Sequence, residues 1–158
     1  MSENNHLPLY GIGPYLMGSI TLMTLLAIAL SFLGYIPKYE SNAILMTILG
    51  VVLIILGAAF WISAVLNSDI QSNIRKNRLV TTGIYSIVRH PIYAAFLYAI
   101  TGIILISNNM LLYILPVIYW LILKETMKRT EEKWLIEVYS DDYLNYSRKV
   151  NGFIPKVI

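Results

Sequence analysis

Three long runs of uncharged, mostly apolar residues, separated by short polar breaks, set the organisation of this chain. Pro14 to Ile36 and Ser41 to Leu66 carry no charge, and each is long enough to cross about 30 Å of hydrocarbon as a helix. The third run, Pro91 to Leu123, has 33 residues. As one helix it would be about 50 Å long, more than a bilayer accommodates. Ser107-Asn108-Asn109 is the turn signal inside it, which predicts a helical hairpin with arms Ile92–Ile106 and Met110–Leu123. The flanks Ile84–Val88 and Lys124–Lys128 are available to lengthen these short arms. Beyond Lys124 the pattern changes: Leu135, Tyr139, Tyr143, Tyr146 and Val150 recur at spacings of four, four, three and four. That is one apolar stripe on a helix, or on a pair broken near Ser140-Asp141. The predicted fold is an all-α integral membrane protein in a single domain, 1–158. It has four transmembrane helices, 14–36, 41–66 and the 91–123 hairpin, plus an amphipathic C-terminal helical region.

Composition agrees with this class. Hydrophobic residues make up 57% and charged residues 13%, with mean hydropathy +0.63, against about 25% charge in a soluble domain. Of the twelve Lys and Arg, Arg75, Lys76, Arg78 and Arg89 precede the hairpin and seven follow it, leaving Lys38 alone in the other loops. The positive-inside rule then predicts a multi-pass protein of the cell membrane with both termini and segments 67–90 and 124–158 in the cytoplasm. The net charge of +3 reflects that asymmetry, and no basic cluster is dense enough to argue nucleic acid as a partner. Absence of cysteine excludes disulfides, thiol catalysis and cysteine metal sites. Met1 to Gly13 lacks the basic start of a cleaved signal, so the first helix is expected to stay. Gly50 and Gly57 could permit close helix contact, and Trp61, Trp120 and Trp134 read as interface or core aromatics.

The candidate chemistry lies before the third run. Asn77 to Tyr93 reads Asn-Arg-Leu-Val-Thr-Thr-Gly-Ile-Tyr-Ser-Ile-Val-Arg-His-Pro-Ile-Tyr. Proline disfavours helical geometry in its predecessor and suits the first turn of its own helix, so the helix is expected to start at Pro91. Arg89 and His90 then sit at a break where unpaired amides and the helix dipole attract an anionic group. An arginine and a histidine at a hydrocarbon edge ask for a polar partner, such as a bound ligand. Gly83 lets the chain turn, and Tyr85 and Tyr93 could supply rings and hydroxyls to the same pocket. Boundary decoration, with basic residues inside and tyrosines in the aromatic belt, accounts for the same pattern. In the tail, Glu131 lies one turn before Leu135 and points with the apolar face, whereas Glu132 is rotated by about 100°. An inward carboxylate needs a partner: Lys128 or Lys124 along the helix, or a ligand hydroxyl or ammonium.

Leu79-Val80-Thr81-Thr82-Gly83-Ile84-Tyr85, Arg89-His90-Pro91-Ile92-Tyr93, Arg129-Thr130-Glu131-Glu132, then Asp142-Tyr143, Tyr146, Val150 and Phe153-Ile154-Pro155 resemble, in matching order, the isoprenylcysteine carboxyl methyltransferase family. That family is related to the membrane phospholipid methyltransferases. The resemblance covers roughly Gln71 to Pro155, and the first two helices carry no signature. It implies S-adenosylmethionine bound between the hairpin and the tail in the two cytoplasmic segments. The positions matching cofactor contacts are Asn77, Arg78, Leu79, Val80, Tyr85, His90, Pro91, Ile92, Tyr93 and Glu131, with Arg89 beside them at the break. Asn77 departs from a position that is often histidine in the family, and a glutamine contact falls near Ile70 or Gln71. The family's substrate-facing arginine falls in strict register on Met127, flanked by Lys128 and Arg129 as candidate cations.

The implied reaction is methyl transfer to a lipophilic acceptor, entering from the bilayer, at the membrane interface. The protein would align the acceptor and exclude water, with no metal and no covalent intermediate. A carboxylate acceptor needs a cation and no general base, whereas an amine acceptor would bring in Glu132 or a tyrosine to take a proton. The small size and bare N-terminal half suit a prokaryotic member, for which the isoprenylcysteine is a family label. Phospholipid or other amine N-methylation, a membrane reductase and a non-catalytic four-helix membrane protein are the alternatives.

Overall fold

The computed structural model describes residues 12–66 and 78–156, all of it helices, turns and loops. Helix α1 (Gly13–Phe32) carries Pro14 in its first turn and buries only Gly13, Ile20, Thr24 and Ser31. These lie at spacings of seven, four and seven, one narrow face, and large apolar side chains such as Leu22, Leu25 and Leu26 point outward. Outward leucines with no protein against them suit contact with lipid. Helix α2 (Ala43–Leu66) is more apolar still and buries Gly50, Gly57 and Ala64. Helix α3 (Pro91–Ile106) has 16 residues and is therefore about 24 Å long. The second arm begins as a 3₁₀ turn, Met110–Ile114, and continues as helix α4 (Leu115–Arg129). Three helices, Gly13–Phe32, Ala43–Leu66 and Met110–Arg129, are long and apolar enough to cross a membrane, and Pro91–Ile106 is a shorter apolar helix.

The turn between α3 and α4 falls on Ser107-Asn108-Asn109, where the polar triplet predicts it, and its side chains latch that end of the bundle. Asn109 is fully buried. Its amide donates to Ser31 Oγ (2.8 Å) and the Pro37 carbonyl (3.1 Å), while its oxygen accepts from the Leu111 amide (3.1 Å). Asn108 accepts from the Ser41 amide at 3.2 Å, and Met110 N–H donates to the Tyr39 carbonyl at 2.9 Å. The two asparagines thus tie the hairpin to the α1–α2 loop with bonds that lipid could not supply. Deeper in the bundle, Thr24 on α1 and Tyr119 on α4 share a buried hydrogen bond of 3.2 Å.

Helices α2 and α3 meet backbone to backbone. A methyl group on Gly50 would lie 2.6 Å from the Gly102 carbonyl, and one on Gly57 would lie 2.6 Å from the Ala95 carbonyl. The seven-residue glycine spacing therefore marks a packing seam, in which small residues replace the missing hydrophobic drive between helices in lipid.

One expectation is corrected. Segment Ile84–Val88 does not extend α3: a 3₁₀ turn occupies Gly83–Ser86 and His90 is non-helical (φ −123°, ψ 66°) ahead of Pro91. The second arm does lengthen, through Lys124–Lys128 to Arg129. Thr130 (φ −117°, ψ −85°) then breaks the chain, and helix α5 (Glu131–Lys149) follows with a kink at Ser140 (φ 47°, ψ −120°). After α5 the chain turns back alongside the residues that precede α3. Arg89 N–H donates to the Asn151 carbonyl (2.8 Å) and His90 N–H to the Gly152 carbonyl (3.0 Å). Two further bonds hold the tail, Tyr146 hydroxyl to the Tyr85 carbonyl (2.5 Å) and Tyr98 hydroxyl to the Phe153 carbonyl (2.9 Å).

Candidate functional site

The proline break and the start of α5 bring five polar side chains together at the N-terminal end of α3. Arg89 Nε and Nη2 donate to Glu132 Oε1 at 3.1 and 2.6 Å, and Nη1 donates to the carbonyls of Ser147 (2.9 Å) and Val150 (2.5 Å). The guanidinium therefore clamps both ends of α5 to the segment before α3. His90, 6% exposed, places Nε2 3.0 Å from the same Glu132 oxygen, and Nδ1 3.8 Å from Glu131 Oε2. Tyr93, one turn into α3, donates its hydroxyl to Glu131 Oε1. The polar partner that an Arg-His pair at a membrane edge demands is thus first of all the protein's own Glu132.

Both carboxylates face the cluster, which corrects the expectation that Glu132 turns away from it. A helix rotates successive side chains by about 100°. Here, however, α5 begins at Glu131 after the Thr130 break, so its first turn sits directly over His90 and offers two adjacent positions to one cleft. Electrostatics separate the two. Burial works against an ionised Glu132, yet the hydrogen bonds from His90 and Arg89 and the guanidinium charge outweigh it and hold the carboxyl down at about 2. Glu131 has no such cation on it. Among the described residues its Oε2 makes an ion-pair contact only with the imidazole, leaving it the carboxylate placed to accept from something else.

Aromatic groups frame the cleft. His90 stacks on Phe153 with ring centroids 5.5 Å apart and planes at 26°, and meets Tyr93 edge to face at 6.1 Å. Tyr85 is buried, and its carbonyl receives the Tyr146 hydroxyl. Burial pushes the Tyr146 hydroxyl up to about 12, so it stays protonated as a donor. From the opposite side α1 contributes Gly13, against whose Cα the Tyr93 hydroxyl packs so closely that a Cβ would collide with it.

The remaining sequence candidates divide. Pro91 is buried and Ile92 half-buried in the first turn of α3; Leu79 and Val80 are half-buried and Arg78 is exposed. Asn77, with Ile70 and Gln71, lies outside the described residues. Lys128 and Arg129 are not in the cluster: Lys128 is exposed, and Arg129, with its side chain 76% exposed, donates to Glu125 at 2.6 Å along the helix. Met127, the strict-register position, is buried. Sequence reasoning missed Gly13 and the stacking role of Phe153. No local signal marks Gly13, because its function is to leave room for a residue 80 positions later. Phe153 is visible only as part of the motif.

Chemically, two carboxylates, an imidazole and a phenol at the edge of an apolar bundle make an acceptor-rich site suited to hydroxyl, ammonium or other cationic groups. Comparison with known proteins agrees with that chemistry. The chain is 35% identical over 129 residues to the protein-S-isoprenylcysteine O-methyltransferase of Saccharomyces cerevisiae, covering 75% of this chain and 52% of the relative. It is 34% identical over 80 residues to the enzyme of the same name from Schizosaccharomyces pombe (50% and 34%). It is also 27% identical over 83 residues to the cobalt-zinc-cadmium resistance protein CzcN of Cupriavidus metallidurans (52% and 38%). The chain spans about half the length of the first of these relatives and just over a third of the other two. No solved structure matches it. The sequence profile of the phospholipid methyltransferases runs from residue 20 to residue 142, through α1, α2, the hairpin and both carboxylates of the cleft, and the chain belongs to that family.

Proposed function

We propose that this protein is a methyltransferase embedded in the cell membrane by four helices, with both termini cytoplasmic. It uses S-adenosylmethionine to methylate a lipophilic acceptor carboxylate of the isoprenylcysteine type. The observation that carries this reading is the convergence of His90 and Tyr93 with Glu131 and Glu132, about 40 residues away, on one cleft, in a chain of a methyltransferase family.

The residues present fit such a donor, which is cationic and carries ribose hydroxyls and an ammonium group. When bound it supplies an already activated methyl group. Glu131, which no cation neutralises, would accept from a hydroxyl or the ammonium, with Tyr93 fixing one of its oxygens. Tyr85, Pro91, Ile92 and the Asn77-Arg78-Leu79-Val80 segment would complete the donor site, and His90 and Phe153 form its aromatic wall. Arg89 has its hydrogen bonds on Glu132 and the tail carbonyls, so its task is to close the tail over the site and keep water out.

Glu132 argues for a carboxylate acceptor over an amine. A carboxyl held near 2 by two donors is a weak proton acceptor, and carboxyl methylation needs no base. It does need a cation. Arg129 is engaged by Glu125, whereas Lys128 forms no ion pair among the described residues and lies one turn before Glu131; Lys128 is therefore assigned to the acceptor. The test is methyl transfer from labelled S-adenosylmethionine in membranes, offered a panel of lipophilic acids and amines, beside calorimetry with the demethylated product. Transfer to acids with binding of the product is expected. No binding would overturn the donor site, and transfer to amines alone would overturn the acceptor assignment.

A further inference from the structure

Among the described residues one fully buried side-chain polar atom has no hydrogen-bond partner: the hydroxyl of Tyr143. The residue is 1% exposed and sits in the second half of α5, beyond the Ser140 kink, with its ring edge-on to Tyr146 at 6.0 Å. A phenylalanine would pack there equally well. Leaving a hydroxyl unpaired in the interior is costly, and such groups are few in native proteins and ask for a use.

The charged groups near enough to act on it are Glu132 and Arg89. Burial comes first in pushing the Tyr143 phenol up, and the Glu132 charge adds to it, so the hydroxyl keeps its proton and remains a donor. Glu132 Oε1 takes Arg89 Nε, Arg89 Nη2 and His90 Nε2. The terminal torsion of a glutamate is soft, and bonds on a single oxygen leave the carboxylate plane free to swing about it. His90 is held at Nε2 by that oxygen, so its ring orientation inherits any such swing.

We propose that Tyr143 is a positioning residue. Its hydroxyl closes on Oε2 of Glu132, fixes the carboxylate plane, and through it sets the His90 ring against the donor pocket. The assignment rests on the donor-site reading above for its affinity measurement, but not for its spectroscopic one.

The chain has two histidines, His6 and His90, so a His6→Gln background labelled with ¹⁵N-histidine reports His90 alone. Full-length Tyr143→Phe in that background should move or broaden the His90 ring signals and bind the demethylated product about tenfold more weakly, the loss expected for one hydrogen bond to a charged group. Tyr146→Phe is the control. Its hydroxyl already has a partner in the Tyr85 carbonyl, so the midpoint should fall with the His90 signals unmoved. Unchanged His90 signals in Tyr143→Phe would overturn the proposal, whether or not stability changes. Moved signals in a protein that never binds the product would uphold Tyr143 and overturn the donor site.

Discussion

Replacing Arg89 by methionine removes the clamp while keeping much of its aliphatic bulk. The lost contacts are two bonds to Glu132 Oε1 and two to tail carbonyls. Arg89 and Glu132 side chains are 16% and 15% exposed, so this is not a solvated surface pair. Removing one member of a buried pair costs about 3–5 kcal/mol, chiefly because the other charge is left without compensation. Depression of Glu132 from 4.5 to about 2 corresponds to about 3 kcal/mol at roughly 1.4 kcal/mol per unit, shared between Arg89 and His90. Arg89 carries only part of that, so the low end of the first range is expected, a loss of about 3 kcal/mol or roughly 6–12 °C in the thermal midpoint of a chain this size. The sign of the pH dependence follows from the direction of the shift. A carboxyl depressed in the folded state stabilises it fully above about 4.5 and loses that contribution as pH falls toward about 2. Wild type should therefore lose midpoint steeply across that window, and Arg89→Met much less. Tryptophan fluorescence melts in detergent at pH 7 and pH 3.5 measure both. A variant that melts within a degree or two of wild type, with the same acid slope, would refute the clamp.

Three further outcomes follow from the same contacts. Gly13→Ala should push the Tyr93 hydroxyl off Glu131 and weaken binding of the demethylated product several-fold in calorimetry without altering the melt much. Gly50→Ala, whose new methyl would meet the Gly102 carbonyl, should destabilise the α2–α3 seam by about 1–3 kcal/mol, as overpacking does, read as a lower midpoint with donor affinity retained. Arg129→Gln, at an exposed pair, should leave the melt and the Michaelis constant for the acceptor unchanged, whereas Lys128→Gln should raise that constant about tenfold; the reverse order would make Arg129 the acceptor's cation.

The helical framework was legible because its signals are local. An uncharged run, the polar triplet at 107–109, His90 before Pro91 and the four-four-three-four stripe each act within a turn or two, and the chain obeys them. The site was legible as a set of residue types, since Arg89, His90, Tyr93 and the two glutamates belong to recognisable motifs. Their pairing was not. Helical periodicity alone sends Glu132 away from the bundle, and only the Thr130 break, which nothing in the sequence announces, lets both carboxylates share His90. Gly13 and Gly102 owe their identity to atoms about 80 and 50 residues away, a dependence that periodicity cannot express. Arg89 reads as a ligand-binding cation from its place at a helix start, and the carbonyls of Ser147 and Val150 that occupy it appear only once the tail has turned back.

Helix α3 spans about 24 Å, less than the roughly 30 Å of hydrocarbon in an ordinary bilayer, and it runs from the asparagine latch to His90. If α3 crosses the bilayer as the proposed four-helix arrangement has it, with the latch at one headgroup level, the imidazole and its two carboxylates would lie about 6 Å inside the opposite boundary, unless the lipid thins to meet them. Such mismatch strains the surrounding leaflet. On that arrangement an acyl or prenyl tail of the proposed acceptor would not have to be lifted out of the membrane for its polar end to reach the cleft: the protein would lower its chemistry to the depth at which the tail already lies.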